Sequence, residues 1–185
     1  MRILEKPLEG LYVIEPNCFR DTRGYFMELF HKDKFKECGL DLDFVQENCS
    51  YSKRGVIRGL HFQWKEPLGK LMRITRGAAF VVAVDIRKSS PSFGAWFGIE
   101  ISEENKKQLY ASPGFACGFQ VLGSEAFMSY HYTSLYNPAA EASIVWNDPL
   151  LKINWPGATD YIVSERDSVA LSFEEWLKRP DADLL

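Results

Sequence analysis

AAFVVAVDI, residues 78–86, is the stretch on which the fold turns. The apolar run from 78 to 84 is too short for a membrane span, which takes about 20 residues. It reads instead as the most apolar strand of the chain and is expected to be central. Upstream, 70–75 pairs next to it after a turn at Arg76-Gly77, and 56–63 and 44–52 are further strands. A strand at 11–15 ends in a Pro16-Asn17 turn. Asp21-Thr22-Arg23-Gly24 has the composition of a hairpin turn, with Gly24 at positive φ. Beyond it, 25–30 is apolar on both faces, and 33–38 is a short helix stopped by Gly39. Downstream, strands are expected at 96–102, 109–111, 115–122 and 126–136, with turns at 102–105, Pro113-Gly114 and Asn137-Pro138. The tail has a turn at 146–149 and an irregular stretch around Trp155-Pro156. A helix over 172–178 follows, with Ser172 as N-cap and Glu175 at the capping-box position. About ten short strands, turn signals every 8–12 residues and no long helix indicate an all-β fold. A single domain over 1–185, a jelly-roll β-sandwich or barrel, fits the strand count best. The mouth of such a barrel is a preferred place for a small-ligand pocket.

The chain has 185 residues, enough for one domain with a real core. The aromatic share of 14% favours a β-rich fold with aromatic-lined concave sites. A formal net charge of -3 with both signs interspersed gives no electrostatic case for nucleic acid or membrane binding. The first ten residues lack the apolar core of a signal peptide. Cys18, Cys38, Cys49 and Cys117 stand singly, in no metal-ligand or CxxC spacing. Four reduced, mostly buried thiols in a cytosolic protein are expected.

Chemistry concentrates in GVIRGLHFQWKEPLGK, residues 55–70. Charged groups are rarely set in apolar strand sequence unless paired or used. His61 can exchange a proton near neutral pH. Arg58 and Lys70 offer positive charge to an anion or a developing oxyanion. Strict alternation puts Ile57, Gly59 and His61 on one face and Arg58 on the other. For Arg58 and His61 to share a site, the backbone must break parity between them, and Gly59 is the place for a bulge. In FVQENCSYS, residues 44–52, the polar residues at 46, 48 and 50 share a face, as in a lined pocket.

Six motifs in order, FRDTRGYFMELF (19–30), FVQENCSYS (44–52), GVIRGLHFQ (55–63), VAVDIRKSSPSFGAW (82–96), SEENKKQLYASPGFACGF (102–119) and WNDPLLKINWP (146–156), cover nearly the whole chain. The sequence resembles the nucleotide-sugar epimerases known as dTDP-4-dehydrorhamnose 3,5-epimerases. The resemblance implies a cupin-like jelly roll, a homodimer and a cofactor-free, metal-free isomerase acting on a dTDP-linked 4-keto-6-deoxy sugar. It implies His61 as the base, Asp167 as its partner, Lys70 as stabiliser of the enolate oxygen and Tyr130 as the acid. It places Arg23, Arg58 and Arg166 near the diphosphate or sugar, and Glu28, Gln46, Glu47 and Asn48 on the nucleotide side. Tyr136 would stack on the base, and Glu141 falls at a binding position. Tyr130 and Tyr136 have the same strand parity, which agrees with their facing one pocket.

Two positions depart from the family pattern. Cys117 stands where the family has a ligand-contacting His, and a thiol is a weak donor that carries no positive charge. His131 follows Tyr130 where the family has Lys, and strand alternation points it away from the Tyr130 face. Inversion at C3 and C5, or at one of them only, is therefore open. Two other classes compete: a metal-dependent cupin, for which His31, His61 and His131 are scattered, and a non-catalytic sugar-nucleotide-binding jelly roll.

Overall fold

The computed structural model describes residues 1–156 and 160–185. The chain forms β1 (Arg2–Leu8), β2 (Leu11–Glu15), β3 (Asn17–Asp21), β4 (Gly24–Glu28), α1 (Lys32–Glu37), β5 (Gln46–Lys53) and β6 (Ile57–Gln63). There follow β7 (Lys70–Asp85), β8 (Trp96–Ser102), β9 (Gln108–Ala111), β10 (Phe115–Tyr132), β11 (Glu141–Ser143), α2 (Glu165–Ser168) and α3 (Phe173–Leu177). Two long strands organise it. The first part of β7 pairs with β9, and its second part with β8. The second part of β10 pairs with β5, and its first part with β6. One layer therefore runs β1-β2-β9-β7-β10-β5, and the facing layer runs β8-β7-β10-β6-β11. Both layers share the two long strands. This is the expected all-β, cupin-like jelly-roll sandwich.

The expected turn at Arg76-Gly77 does not reverse the chain. Gly77 takes φ +81°, and a Cβ there would lie 2.0 Å from the Glu125 carbonyl oxygen. β7 and β10 pass this point side by side, with a register shift between Val121 and Ala126, and resume pairing beyond it. The same reason joins the strands expected at 115–122 and 126–136. A glycine signals a change of backbone direction, but an intact ladder on both sides turns a loop into a bend.

Alternation along residues 78–86 explains their unbroken apolarity. Ala79, Val81 and Ala83 face the space between the layers, together with Leu11, Met72, Ile74, Phe119 and Met128. Val82, Val84 and Ile86 face outward, under a cover that includes Trp155, Phe173 and Trp176 from the tail. The outer face of the other layer is closed by Phe35 of α1 with Leu40 and Leu42. Each fully buried aliphatic side chain contributes about 1.5–3 kcal/mol, whereas an exposed ion pair such as Arg2–Glu15 contributes about 0–1 kcal/mol. The apolar layers, not the surface charges, therefore fix the positions of the strands. The capping box at Ser172 and Glu175 starts α3 as expected.

Among the described residues, β1, the three-residue β11, the one-turn α2 and the short 3-10 helices Pro138–Ala140 and Pro180–Leu184 went unread in the sequence. The β3–β4 hairpin forms at the expected turn but stands as a separate two-stranded ribbon. The cysteines are unpaired, but only Cys117 is buried; Cys18 and Cys38 are partly covered and Cys49 is exposed. The expectation of mostly buried thiols fails because Cys49 takes an outward position in the alternation of β5.

Candidate active site

A cavity of about 520 Å³, counting its open mouth, lies between the two layers. Arg58 and His61 of β6, Lys70 of β7, Cys117, Tyr130 and Tyr132 of β10, and Glu141 of β11 line it. Met72, Phe119 and Met128 add apolar surface. Gly59 brings the first two residues together. Arg58 stands opposite Phe119 and His61 opposite Cys117, so β6 advances three residues while β10 advances two. Gly59 takes φ +119°, and a Cβ there would meet the Gly118 Cα at 2.6 Å. Parity breaks at the glycine, and Arg58 and His61 reach one cavity.

His61 Nε2 lies 2.7 Å from Asp167 Oδ1. The other Asp167 oxygen accepts from the Gly59 N–H at 3.3 Å. Asp167 is placed by α2, where the Ser164 hydroxyl caps the turn by accepting from the Asp167 N–H. Burial pushes the Asp167 carboxyl up, but the His61 hydrogen bond and charge and the Gly59 N–H outweigh it and hold it below the ordinary value. With Nε2 engaged, Nδ1 is the ring nitrogen left for a substrate. Lys70 is 8% exposed. It donates to the His61 carbonyl at 3.0 Å and lies 5.8 Å from the Tyr132 ring centre. No carboxylate pairs with it among the described residues. A buried, unpaired ammonium beside an imidazole–carboxylate pair favours an anion between them.

Tyr130 shares a hydrogen bond with Ser50. Burial pushes its phenol up, against the Ser50 bond and the Arg58 charge. Burial also pushes the Cys117 thiol up, against the charge of Lys70. Arg58 Nε donates to Ser52 Oγ at 2.9 Å and an Nη to the Tyr51 carbonyl at 3.1 Å. Glu141 accepts from Tyr136 Oη at 2.7 Å and from Arg166. Burial raises that carboxyl, and these two partners outweigh it to leave it low.

The other sequence-chosen residues divide. Asn48 stands opposite Tyr130 and so shares its face, and Gln46 bonds to Asn48 and to the Tyr136 N–H. Glu47 stands opposite His131 on the reverse face, where it accepts from Ser129 Oγ at 2.9 Å. It does not reach the cavity, because alternation separates it from Gln46 and Asn48. His131 lies 3.6 Å from Glu47, away from Tyr130 as expected. Tyr136 is not on the Tyr130 strand, because β10 ends at Tyr132; it stands at the mouth beside Glu141. Arg23 pairs with Asp21 and Glu28 with Lys34, both away from the cavity. Ser50 and Tyr132 were not chosen from the sequence, although the parity of 46, 48 and 50, and of Tyr130 and Tyr132, pointed to both. Among the described residues no group of three His, Cys, Asp or Glu is placed to hold a metal ion.

Comparison with known proteins gives one consistent picture. The profile of a family described as dTDP-4-dehydrorhamnose 3,5-epimerase matches residues 5–175. A dTDP-4-dehydrorhamnose 3,5-epimerase of Methanothermobacter thermautotrophicus is 46% identical, with 90% of this chain and 91% of the relative covered. A dTDP-4-dehydrorhamnose 3-epimerase of Streptomyces niveus is 38% identical, with 95% and 85% covered. The crystal structure of dTDP-6-deoxy-D-glucose-3,5-epimerase from Legionella pneumophila, in complex with dTDP-4-keto-L-rhamnose, superposes with a TM-score of 0.93. It is 41% identical, with 100% of this chain and 96% of that chain covered.

Proposed function

The chain belongs to the dTDP-4-dehydrorhamnose 3,5-epimerase family, and we propose that it inverts C3 and C5 of a dTDP-linked 4-keto-6-deoxyhexose through an enolate. The observation that carries the reading is the placement of two proton-transfer groups on facing layers. His61 comes from β6 in one layer, and Tyr130 from the part of β10 that belongs to the other. A 4-keto sugar between them loses a proton to one side, and the flat enolate that results gains a proton from the other, which inverts the carbon.

The 4-keto group acidifies the C–H bonds on both neighbouring carbons. His61 removes the proton through Nδ1, and Asp167 holds the ring and stabilises its charged form. Lys70 faces the charge that develops on O4. Tyr130 returns a proton on the opposite face, and Ser50 fixes the direction of its hydroxyl. Arg58, Arg166 and Glu141 define a charged rim for the diphosphate and sugar, with Gln46, Asn48 and Tyr136 beyond it for the nucleotide. No cofactor is needed for these steps.

The chain works as a homodimer in this reading. The β3–β4 ribbon exposes Phe19 at 61% and Phe26 at 70%, an apolar surface that a second copy would cover. Arg23 and Glu28 lie on this ribbon, so their nucleotide contacts would be made in the partner's cavity. A cytoplasmic setting fits the four unpaired thiols. Cys117 beside His61, together with the 3-epimerase relative, supports one further reading, inversion at C3 alone.

Proton NMR of dTDP-4-keto-6-deoxyglucose with the protein in D2O tests the proposal. Deuterium at C3 and C5 is expected. Deuterium at C3 alone makes the protein a mono-epimerase, and binding without exchange makes it a sugar-nucleotide-binding module.

A further inference from the structure

Three tyrosines stand around the cavity, and their hydroxyls differ in one respect. Tyr130 shares a hydrogen bond with Ser50, and Tyr136 donates to Glu141. Tyr132 also lines the cavity, partly buried, yet its hydroxyl has no hydrogen-bond partner among the described residues. A partly buried phenol normally finds a partner. Its ring centre is 6.2 Å from that of Tyr130 and 5.8 Å from Lys70 Nζ. Those two neighbours flank the reacting carbons in the proposed function, so Tyr132 lies at the sugar end of the cavity. Arg166 and Tyr136 mark the diphosphate and nucleotide end, and Tyr132 borders it through a small cleft shared with Glu141 and Tyr136.

The neighbouring Cys117 leaves this end short of a donor. Its thiol is directed at the Phe115 carbonyl of its own strand, at 3.9 Å, and burial keeps it neutral. Burial, reinforced by Tyr130 and Cys117, also pushes the Tyr132 phenol well above its ordinary range, so it stays a neutral donor. We propose that Tyr132 is a further substrate-binding residue, whose hydroxyl donates a hydrogen bond to an oxygen of the hexose and supplies the polar contact that Cys117 does not. The inference rests on the proposed function and names the residue that reads the sugar rather than the nucleotide.

Titration calorimetry with dTDP and with dTDP-L-rhamnose, on wild type, Tyr132→Phe and Cys117→Ala, tests it. One lost neutral hydrogen bond corresponds to about a 3- to 10-fold loss. Tyr132→Phe should weaken dTDP-L-rhamnose by that factor and leave dTDP unchanged, and Cys117→Ala should lose less on the same ratio. An unchanged ratio in Tyr132→Phe, or a larger loss in Cys117→Ala, overturns the inference while wild-type exchange leaves the function standing. Wild type that neither binds dTDP-L-rhamnose nor exchanges the 4-keto substrate removes the function, and this inference with it.

Discussion

The cavity wall and the β3–β4 ribbon carry the proposed site residues under opposite conditions. On the wall, His61, Lys70 and Tyr130 are held by paired strands with apolar cores on both sides. On the ribbon, Arg23 sits in the hairpin turn and Glu28 at the end of β4, the two strands pair only with each other, and the charges are taken up by Asp21 and Lys34. In the proposed function the wall is complete within one chain, and the ribbon is completed by a second copy. Proton transfer tolerates little displacement, so it belongs on the rigid part. Holding a nucleotide is more forgiving, and can be assigned to an element that a second copy must position.

The largest effect expected on the wall follows loss of the base. His61→Ala should lower solvent exchange at both carbons by about 10³- to 10⁴-fold, at the upper end of general-base contributions. Far-ultraviolet circular dichroism should stay unchanged, since His61 lies on the cavity side of β6. Full turnover by this variant would break the scheme. Tyr130→Phe should behave differently. In the proposed scheme the phenol is the acid, so exchange should persist while net inversion falls about 10²-fold, and the ratio of the two rates measures it by NMR. Because burial raises this phenol above its ordinary value of 10, wild type should keep its acid through neutral pH and beyond pH 10. An alkaline limb below pH 9 that vanishes in Tyr130→Phe would contradict the assignment.

Asp167 joins the wall to the short helix behind it. Asp167→Asn should keep the hydrogen bond but lose the charge, and kcat should fall about 10²-fold. Its carboxyl is held below the ordinary 3.8 in the fold. The stability it contributes is therefore present above pH 3.8 and lost as the pH falls through the folded value. In urea titrations the difference in stability between wild type and Asp167→Asn should shrink below pH 3.8. A difference that grows on acidification would mean the carboxyl is raised.

The wall was legible in the sequence to the extent that chemistry follows strand parity. His61 with Arg58 required a break at Gly59, and the register shows one. Parity of 46, 48 and 50 already separated Glu47 from its neighbours, although the family resemblance grouped them. The strand ends were not legible. Gly77 and Gly123-Ser124 carry the composition of turns, and only the partner strand decides whether such residues reverse a chain or bend it. Tyr136 was put on the strand because Asn137-Pro138 is the turn signal that closes it, whereas β10 ends at Tyr132. Asp167 came from resemblance alone, because a one-turn helix bonded to a strand 106 residues earlier leaves no local pattern.

The smallest effect expected belongs to the ribbon, and it tests the comparison most directly. Arg23→Ala should raise KM several-fold, up to about 10-fold for one exposed charged contact, with kcat nearly unchanged. If Arg23 serves the partner's cavity, mixing Arg23→Ala with His61→Ala protein should restore activity. One cavity of each mixed dimer then has His61 from one chain and Arg23 from the other, and both are intact. Subunits exchanged in equal amounts should reach about a quarter of wild-type activity at low substrate, from one intact cavity in half of the dimers. The two variants incubated without exchange should not. If Arg23 acted within its own chain, every cavity would lack one of the two groups, and mixing would restore nothing. Restoration therefore separates a ribbon that completes a second copy from one that merely shields its own.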